Sequence, residues 1–268
     1  MILTDSHMHS RFSADSDAPM HEMIEKSIDK GLKHITFTEH MDYDFPKEYN
    51  LLFEFDLDSY FKEIANYKNF YKNDIDIHYG IEIGLMPHLG KQYNKLLNSY
   101  EFDFVIASSH LVYNKDPYYP DFWEGISEED GYTKYFESLY ENICIYENFD
   151  VYGHLDYIVR YGPNKNKNYS YEKYQSLIEP ILKKIIELGK GIEVNSAGYK
   201  YGLDTTNPSL DVLKKYKEFG GKIITIGSDA HCPEHIAYDF EKTANLIKCA
   251  GFNEYAFFTN RTPIMLSL

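Results

Sequence analysis

Short apolar runs alternate with longer amphipathic stretches from one end of this chain to the other. Brief apolar runs read as buried strands, and apolar positions recurring every three to four residues read as helices. Ile2-Leu3 opens the series and leads straight into Asp5-Ser6-His7. A helix is expected from about Pro19 to Lys30, with Pro19 suited to the first turn and Gly31 to the C-terminal cap. A strand over His34–Thr38 follows, then a helix near Ser59–Tyr71 and a strand over Ile75–Ile83. A helix near Gly90–Asn98 precedes a strand at Phe102–Ala107. The segment Val112–Gly131 is too long for an ordinary strand-to-helix loop and reads as a lid or an Ω-loop carrying Phe122 and Trp123. A helix near Tyr132–Glu147, the run Val151–Gly153, a polar loop at Tyr161–Ser170 and a helix near Tyr171–Leu188 come next. Gly191–Asn195 reads as a strand, Asn207–Gly220 as a helix, and Lys222–Ile226 as a buried strand. A last helix near Glu234–Ala250 leads to Tyr255–Phe258, a closing strand or an edge.

That is about seven strand–helix units with no break in composition, so one α/β domain over residues 1–268 is expected. Strands alternating with helices imply right-handed crossovers and a parallel sheet. An open doubly wound sheet gathers ligands at one crevice, whereas a closed barrel collects them from every strand end around one mouth.

The positions where the apolar runs end decide between the two. His7 and His9, His40, Glu82, His110, His154, and then Asp229 with His231 each stand at or just after such an end. Imidazole nitrogen and carboxylate oxygen are ligands for divalent cations. Residues i and i+2 of an extended segment point the same way, so His7-x-His9 and Asp229-x-His231 each present two donors to one side. Glu82 lies inside an apolar run, where an unpaired carboxylate is costly and a position bridging two cations neutralises it. Singly, each of these residues has an ordinary structural explanation. Eight at successive strand ends favour a multinuclear metal site on a barrel, and so a hydrolase. His21, His34, His78, His88 and His235 fall in helices, at strand starts or mid-strand and read as structural or surface residues.

Composition narrows the substrate. Aromatic residues reach 16%, enough for a sizeable core and for the walls of a cleft. The net charge of −15 repels polyanions, so no nucleic-acid partner is expected, and a small phosphorylated molecule carrying an amine is better tolerated. Three cysteines with no CxxC pair, no signal-like N-terminus and no membrane-length apolar run point to a reduced, cytoplasmic protein without a membrane partner. Nothing in the pattern fixes an oligomeric state.

At Asp5-x-His7-x-His9, Thr38-Glu39-His40, Gly80-Ile81-Glu82, Ser108-Ser109-His110, Gly153-His154-Leu155-Asp156 and Gly227-Ser228-Asp229-Ala230-His231 the chain resembles the polymerase and histidinol phosphatase (PHP) family. Its length and the stretch around Arg160 most resemble the family's stand-alone histidinol-phosphate phosphatases. The resemblance implies a distorted TIM-like (β/α)7 barrel with the metal site at the C-terminal ends of the strands, holding two to three divalent ions (Zn, Mn or Fe). It places His7, His9, Glu82 and Asp229 on a first metal and Glu82, His110 and His154 on a second, with Glu82 bridging. His40, His231 and Asp15 fall to a third; some members have histidine where this chain has Asp15.

The activity it implies is hydrolysis of L-histidinol phosphate, a step of histidine biosynthesis. A hydroxide bridging two metals attacks phosphorus, Glu82 holds the pair, and the third metal, or an acid such as Asp229 or His231, helps the alkoxide leave, with no phosphoenzyme. Arg160, six residues after His154, suits bidentate contact with phosphate. Asn195, at the next strand end, is expected to donate to the substrate, and Phe122 and Trp123 to cover its imidazole ring. Competing readings are another small phosphoester or nucleotide, a DNA 3′ end, a barrel amidohydrolase, or a non-catalytic metal-binding module.

Overall fold

A computed structural model describes residues 2–268. Seven parallel strands lie side by side: β1 (Thr4–Met8), β2 (His34–Phe37), β4 (Asp76–Gly84), β5 (Phe104–Ser108), β6 (Val151–Tyr152), β7 (Gly191–Asn195) and β8 (Ile224–Gly227). A two-residue strand, β3 (His40–Met41), pairs with the end of β4. The first and last strands meet: the His9 amide donates to the Ala230 carbonyl and the Asp229 amide to the His7 carbonyl, both at 2.8 Å. This seam closes the sheet into a distorted seven-stranded barrel. The helices α1 (Met20–Asp29), α2 (Leu57–Phe70), α3 (Gly90–Leu97), α4 (Glu128–Ile145), α5 (Tyr171–Glu187), α7 (Leu210–Glu218) and α8 (Phe240–Cys249) surround it, and a one-turn helix, α6 (Ala197–Lys200), follows β7. Their apolar faces bury Met23, Ile64, Tyr93, Leu139, Leu182 and Leu213 against the outer face of the sheet.

The C-terminal residues differ from expectation. Tyr255–Phe258 belong to an antiparallel hairpin, β9 (Glu254–Thr259) and β10 (Thr262–Ser267), which does not join the barrel wall. Ala256 and Phe258 pack on Phe104, Ile106 and Val151, and the Tyr255 hydroxyl accepts from the Leu3 amide. The hairpin therefore plugs the N-terminal mouth. His34 stacks on Phe257 at 4.1 Å with His78 beside it, the structural place expected for both.

Two boundaries shift for local reasons. Helix α4 starts at Glu128 because Ser127 caps it, accepting from the Asp130 amide, and Gly131 lies within its first turn, where the Trp123 ring occupies the place a Cβ would need. Helix α8 starts at Phe240 because residues 233–239 turn inward, where the Ala237 amide donates to Asp5 in β1. Among the described residues no helix is long and apolar enough to cross a membrane.

Candidate metal centre

All nine residues expected as ligands gather at the C-terminal mouth of the barrel. Strand β1 delivers His7 and His9 inward, with their Nε2 atoms 3.0 Å apart. Glu82, on β4, sits among the rings. Its Oε2 is 3.1 Å from His7 Nε2 and 3.0 Å from His40 Nδ1, and its Oε1 is 3.0 Å from His154 Nε2 and 3.2 Å from His110 Nε2. The turn after β8 brings Asp229 Oδ1 to 3.5 Å from His9 Nε2 and 3.7 Å from His7 Nε2. The His9 ring lies 4.2 Å from both His40 and His231, and those two rings are 5.7 Å apart. Asp15, on the loop after β1, points its carboxylate at His231 Nε2 (3.1 Å) and His40 Nε2 (3.7 Å).

The hydrogen bonds behind these rings decide which nitrogens keep lone pairs. Glu193, on β7, holds His7 Nδ1 at 2.6 Å, and Asp42 holds His110 Nδ1 at 2.6 Å. Ser13 Oγ donates to Glu39 and so accepts from His9 Nδ1 at 3.0 Å. In the neutral form each of these rings carries its proton on Nδ1, which leaves the Nε2 atoms of His7, His9 and His110, aimed at Glu82 and Asp229, as the ligand atoms. His40 Nδ1, His231 Nε2 and Asp42 Oδ2 are buried and make no hydrogen bond, although partner atoms lie within 4 Å. Imidazole nitrogens and carboxylate oxygens converging in this way are a donor set for divalent cations. Five overlapping triads have ligand atoms within 4.8 Å of one another; among them are His7, His9 and Glu82; Glu82, His110 and His154; and His9, His40 and His231.

Charge in the cluster follows the same logic. Burial works against a proton on His7, but Glu193, Glu82 and Asp229 outweigh it and hold the imidazole well above its ordinary range. Burial pushes the Glu82 carboxyl up, yet His7, His40 and His110 hold it well below the carboxylate range. Asp229 is held low against burial by His7, His9, Arg160 and His231. His9 and His154 are lowered, chiefly by burial. Where carboxylates favour a proton they also favour a cation, and the two compete.

A family model for the PHP domain matches residues 5–197. The chain belongs to the PHP domain family. It is 33% identical to a histidinol-phosphatase of Lactococcus lactis over 95% of this chain and 94% of the relative. A histidinol-phosphatase of Bacillus subtilis is 26% identical over 88% of this chain and 96% of its own length. A crystal structure of histidinol phosphate phosphatase from Lactococcus lactis, complexed with zinc, L-histidinol and phosphate, superposes with a TM-score of 0.89. It is 32% identical and covers 97% of this chain and 98% of that one.

The PHP barrel opens above the cluster into a cavity of about 560 Å³, within the range of small-molecule sites. Arg160 lines it but is only 3% exposed, and three of its N–H groups are spent on the protein. Its Nε donates to Asn207 Oδ1 (2.8 Å), one terminal nitrogen to Asp229 Oδ2 (2.8 Å) and the other to Asn195 Oδ1 (2.9 Å). Its first task is to hold Asp229. The expectation for Asn195 is corrected. It is fully buried, its Oδ1 serves Arg160 and the Ala197 amide, and its Nδ2 faces Glu193 and Asp229, so it stands behind the wall rather than in it.

Phe122 and Trp123 do not cover the cavity either. Phe122 is buried, and the Trp123 indole packs over Gly131 and donates to the Pro117 carbonyl. Tyr118 and Tyr119 of that loop line the cavity instead, facing Tyr157, Tyr161 and Tyr201. His235, read as a structural or surface residue, also lines it, 3.2 Å from Cys232 Sγ.

Sequence reasoning missed Glu193, Asp42, Lys200 and Asp116. Glu193 carries the signal that flagged Glu82, a carboxylate between apolar neighbours in a buried strand. Asp42 repeats the i,i+2 spacing after His40. Lys200 ends α6 with its Nζ 3.3 Å from the Asp229 carbonyl oxygen, where no motif points to it.

Proposed function

We propose that this chain is a metal-dependent phosphomonoesterase that hydrolyses L-histidinol phosphate to L-histidinol and phosphate. The observation that carries the reading is the convergence of six imidazoles with Asp15, Glu82 and Asp229 beneath one cavity. A relative that shares the fold at 32% identity holds zinc, L-histidinol and phosphate. His7, His9, Glu82 and Asp229 would hold one cation, Glu82, His110 and His154 a second, and Asp15, His40 and His231 a third. Nitrogen–oxygen sets of this kind suit zinc, manganese or iron. Such cations, when bound, lower the pKa of coordinated water and offset charge on phosphoryl oxygens.

The chain's own residues do the rest. Ser108 Oγ donates to Glu82 Oε1 at 2.6 Å and fixes that carboxylate between the two histidine groups. Arg160 and Asn195 hold Asp229 beside His7 and His9. Arg160 and Lys200 give the cavity a cationic wall toward the phosphoryl group. His231, a quarter exposed at the open side, faces Asp15, and with His40 these two would hold a cation that offsets charge on the leaving alkoxide. No side-chain nucleophile takes part, so no phosphoenzyme forms. The reading includes a cytoplasmic location, supported by three unpaired cysteines.

The test is phosphate release from L-histidinol phosphate before and after chelation, beside a nucleoside monophosphate and 4-nitrophenyl phosphate. Turnover that chelation abolishes, that added metal restores and that favours histidinol phosphate is expected. Preference for the nucleotide would overturn the substrate. No turnover with metals restored would overturn the class.

A further inference from the structure

Four carboxylates line the cavity, and three have basic partners. Asp15 faces His231, Asp42 faces His110, and Asp229 faces Arg160. Asp116 has none: among the described residues no Lys, Arg or His nitrogen lies within 4.0 Å of its carboxylate, and the neighbouring Lys115 turns away to Asp121. Yet Asp116 is only 7% exposed. Its Oδ1 accepts from the Tyr118 amide at 2.8 Å, which leaves Oδ2 without a protein donor. Burial pushes its carboxyl up to about 6, and the Tyr118 amide with the more distant His110 and His40 offsets this only in part. A chain gains nothing in stability from such a group, because its desolvation is not repaid within the protein.

The surroundings suit a cation. Tyr119 lies flat on Tyr49, 3.8 Å between centroids, and Tyr118 meets Tyr161 edge-on at 5.4 Å. Aromatic faces beside a carboxylate attract ammonium and imidazolium groups. Neither Lys200 nor Arg160, the residues proposed for the phosphoryl side, comes within 4.0 Å of the Asp116 carboxylate; Arg160 is spent on Asp229, and Lys200 on the Asp229 carbonyl.

We propose that Asp116 is a specificity-determining residue that binds the cationic group of a phosphomonoester and so selects cationic esters over neutral ones. This rests on the phosphomonoesterase reading above. Asp116→Asn keeps the oxygen that accepts from Tyr118 and removes only the charge.

The test measures kcat/KM for wild type and Asp116→Asn on four esters: L-histidinol phosphate, its analogue lacking the amine, 3-aminopropyl phosphate and propyl phosphate. Metal content and melting temperature are measured alongside. The expected result is a fall of roughly 10- to 100-fold in the ratio of cationic to neutral ester, the range of a lost charge-assisted hydrogen bond. The two single-cation esters tell whether Asp116 reads the amine or the imidazole. An unchanged ratio overturns the proposal, whatever happens to the absolute rates. Calorimetric titration with L-histidinol keeps the two readings apart. If no ester is hydrolysed but L-histidinol still binds wild type more tightly than Asp116→Asn, the phosphatase reading fails and Asp116 stands. Equal binding overturns Asp116 alone.

Discussion

Glu193→Gln removes one negative charge from behind the cluster and almost nothing else. Glu193 Oε1 lies 2.6 Å from His7 Nδ1, and Oε2 accepts the His154 amide at 2.9 Å, both in fully buried surroundings. The amide that replaces it has two orientations. With its oxygen toward His7, its NH2 meets the His154 N–H, donor against donor. With its NH2 toward His7, Nδ1 has to accept, and the ring proton moves to Nε2. That atom faces His9, Glu82 and Asp229, so a ligand lone pair is lost. Either orientation forfeits a buried charge-assisted hydrogen bond, ~1.5–3 kcal/mol. Carried onto a cation at His7, this is a loss of about 10- to 100-fold in affinity. The assay loads both proteins with zinc, exposes them to graded chelator and measures metal per chain beside phosphate release at saturating metal. The variant is expected to lose half its metal at about tenfold less chelator or lower, with its circular dichroism unchanged. A folded variant that keeps its metal as wild type does would refute the reasoning. So would a lowered melting temperature with equal retention, since Glu193 would then serve the fold alone.

The remaining predictions bear on the support of Asp229, the crowding at the seam and the effect of pH. Arg160→Lys replaces three directed donors with a point charge, so kcat/KM for the phosphoester is expected to fall roughly 100-fold; a change under about threefold would sink the positioning role. Gly227→Ala puts a methyl group onto Glu193 Oε1 and His7 Cβ at once, and should cost about 1–3 kcal/mol in urea unfolding and lower metal retention; a neutral outcome would mean the seam has room. Burial holds the Glu39 carboxyl up to about 7 against 4.5 in the unfolded chain, so the folded chain keeps a proton the unfolded one has lost between these values. Its contribution is present in full below about 4.5 and disappears as pH rises through about 7, a swing of about 3 kcal/mol. Urea titrations of wild type and Glu39→Gln at about pH 5 and about pH 8 should show that swing in wild type only, and parallel pH dependences would contradict it.

The strand-end histidines were legible because metal chemistry restricts both residue type and place. Few side chains bind a divalent cation, and a barrel offers them only at one end of each strand. What lay behind them was less legible. Ser13, Glu39 and Asn207 act by hydrogen bonds to groups far away in sequence, and no spacing announces such partners. Asn207 looked like a helix start, yet it pairs with Asn195 in the backbone and holds Arg160 with its side chain. The hairpin was hidden for a different reason. Its turn puts Asn260 and Arg261 at φ of 47° and 59°. Asn favours that conformation and Arg does not, so the pair carries only half the usual signal. The boundary of α4 was obscured by Gly131, which reads as a breaker but is glycine because the Trp123 ring leaves no room for a Cβ inside the helix that Ser127 caps.

Closure of the barrel and assembly of the site are one event. The hydrogen bonds that join β1 to the segment after β8 involve the backbone of His7, His9, Asp229 and Ala230, and three of these carry the donors themselves. Asp5, two residues before His7, accepts from the Ser228 and Ala237 amides and ties the same two segments from below. Burial pushes its carboxyl up to about 6, so the tie comes at an electrostatic cost. Asp229 adds a backbone cost, standing at φ 53°, where a non-glycine residue is disfavoured. These unfavourable terms all lie on the seam. A cation shared by His7, His9 and Asp229, as proposed, would bind the closed seam and not the open one, and would stabilise closure by its own binding free energy. Stability and metal retention are therefore expected to move together for changes at the seam, such as Gly227→Ala. They separate for changes across the cavity, such as Asp116→Asn, where neither strand of the seam is touched.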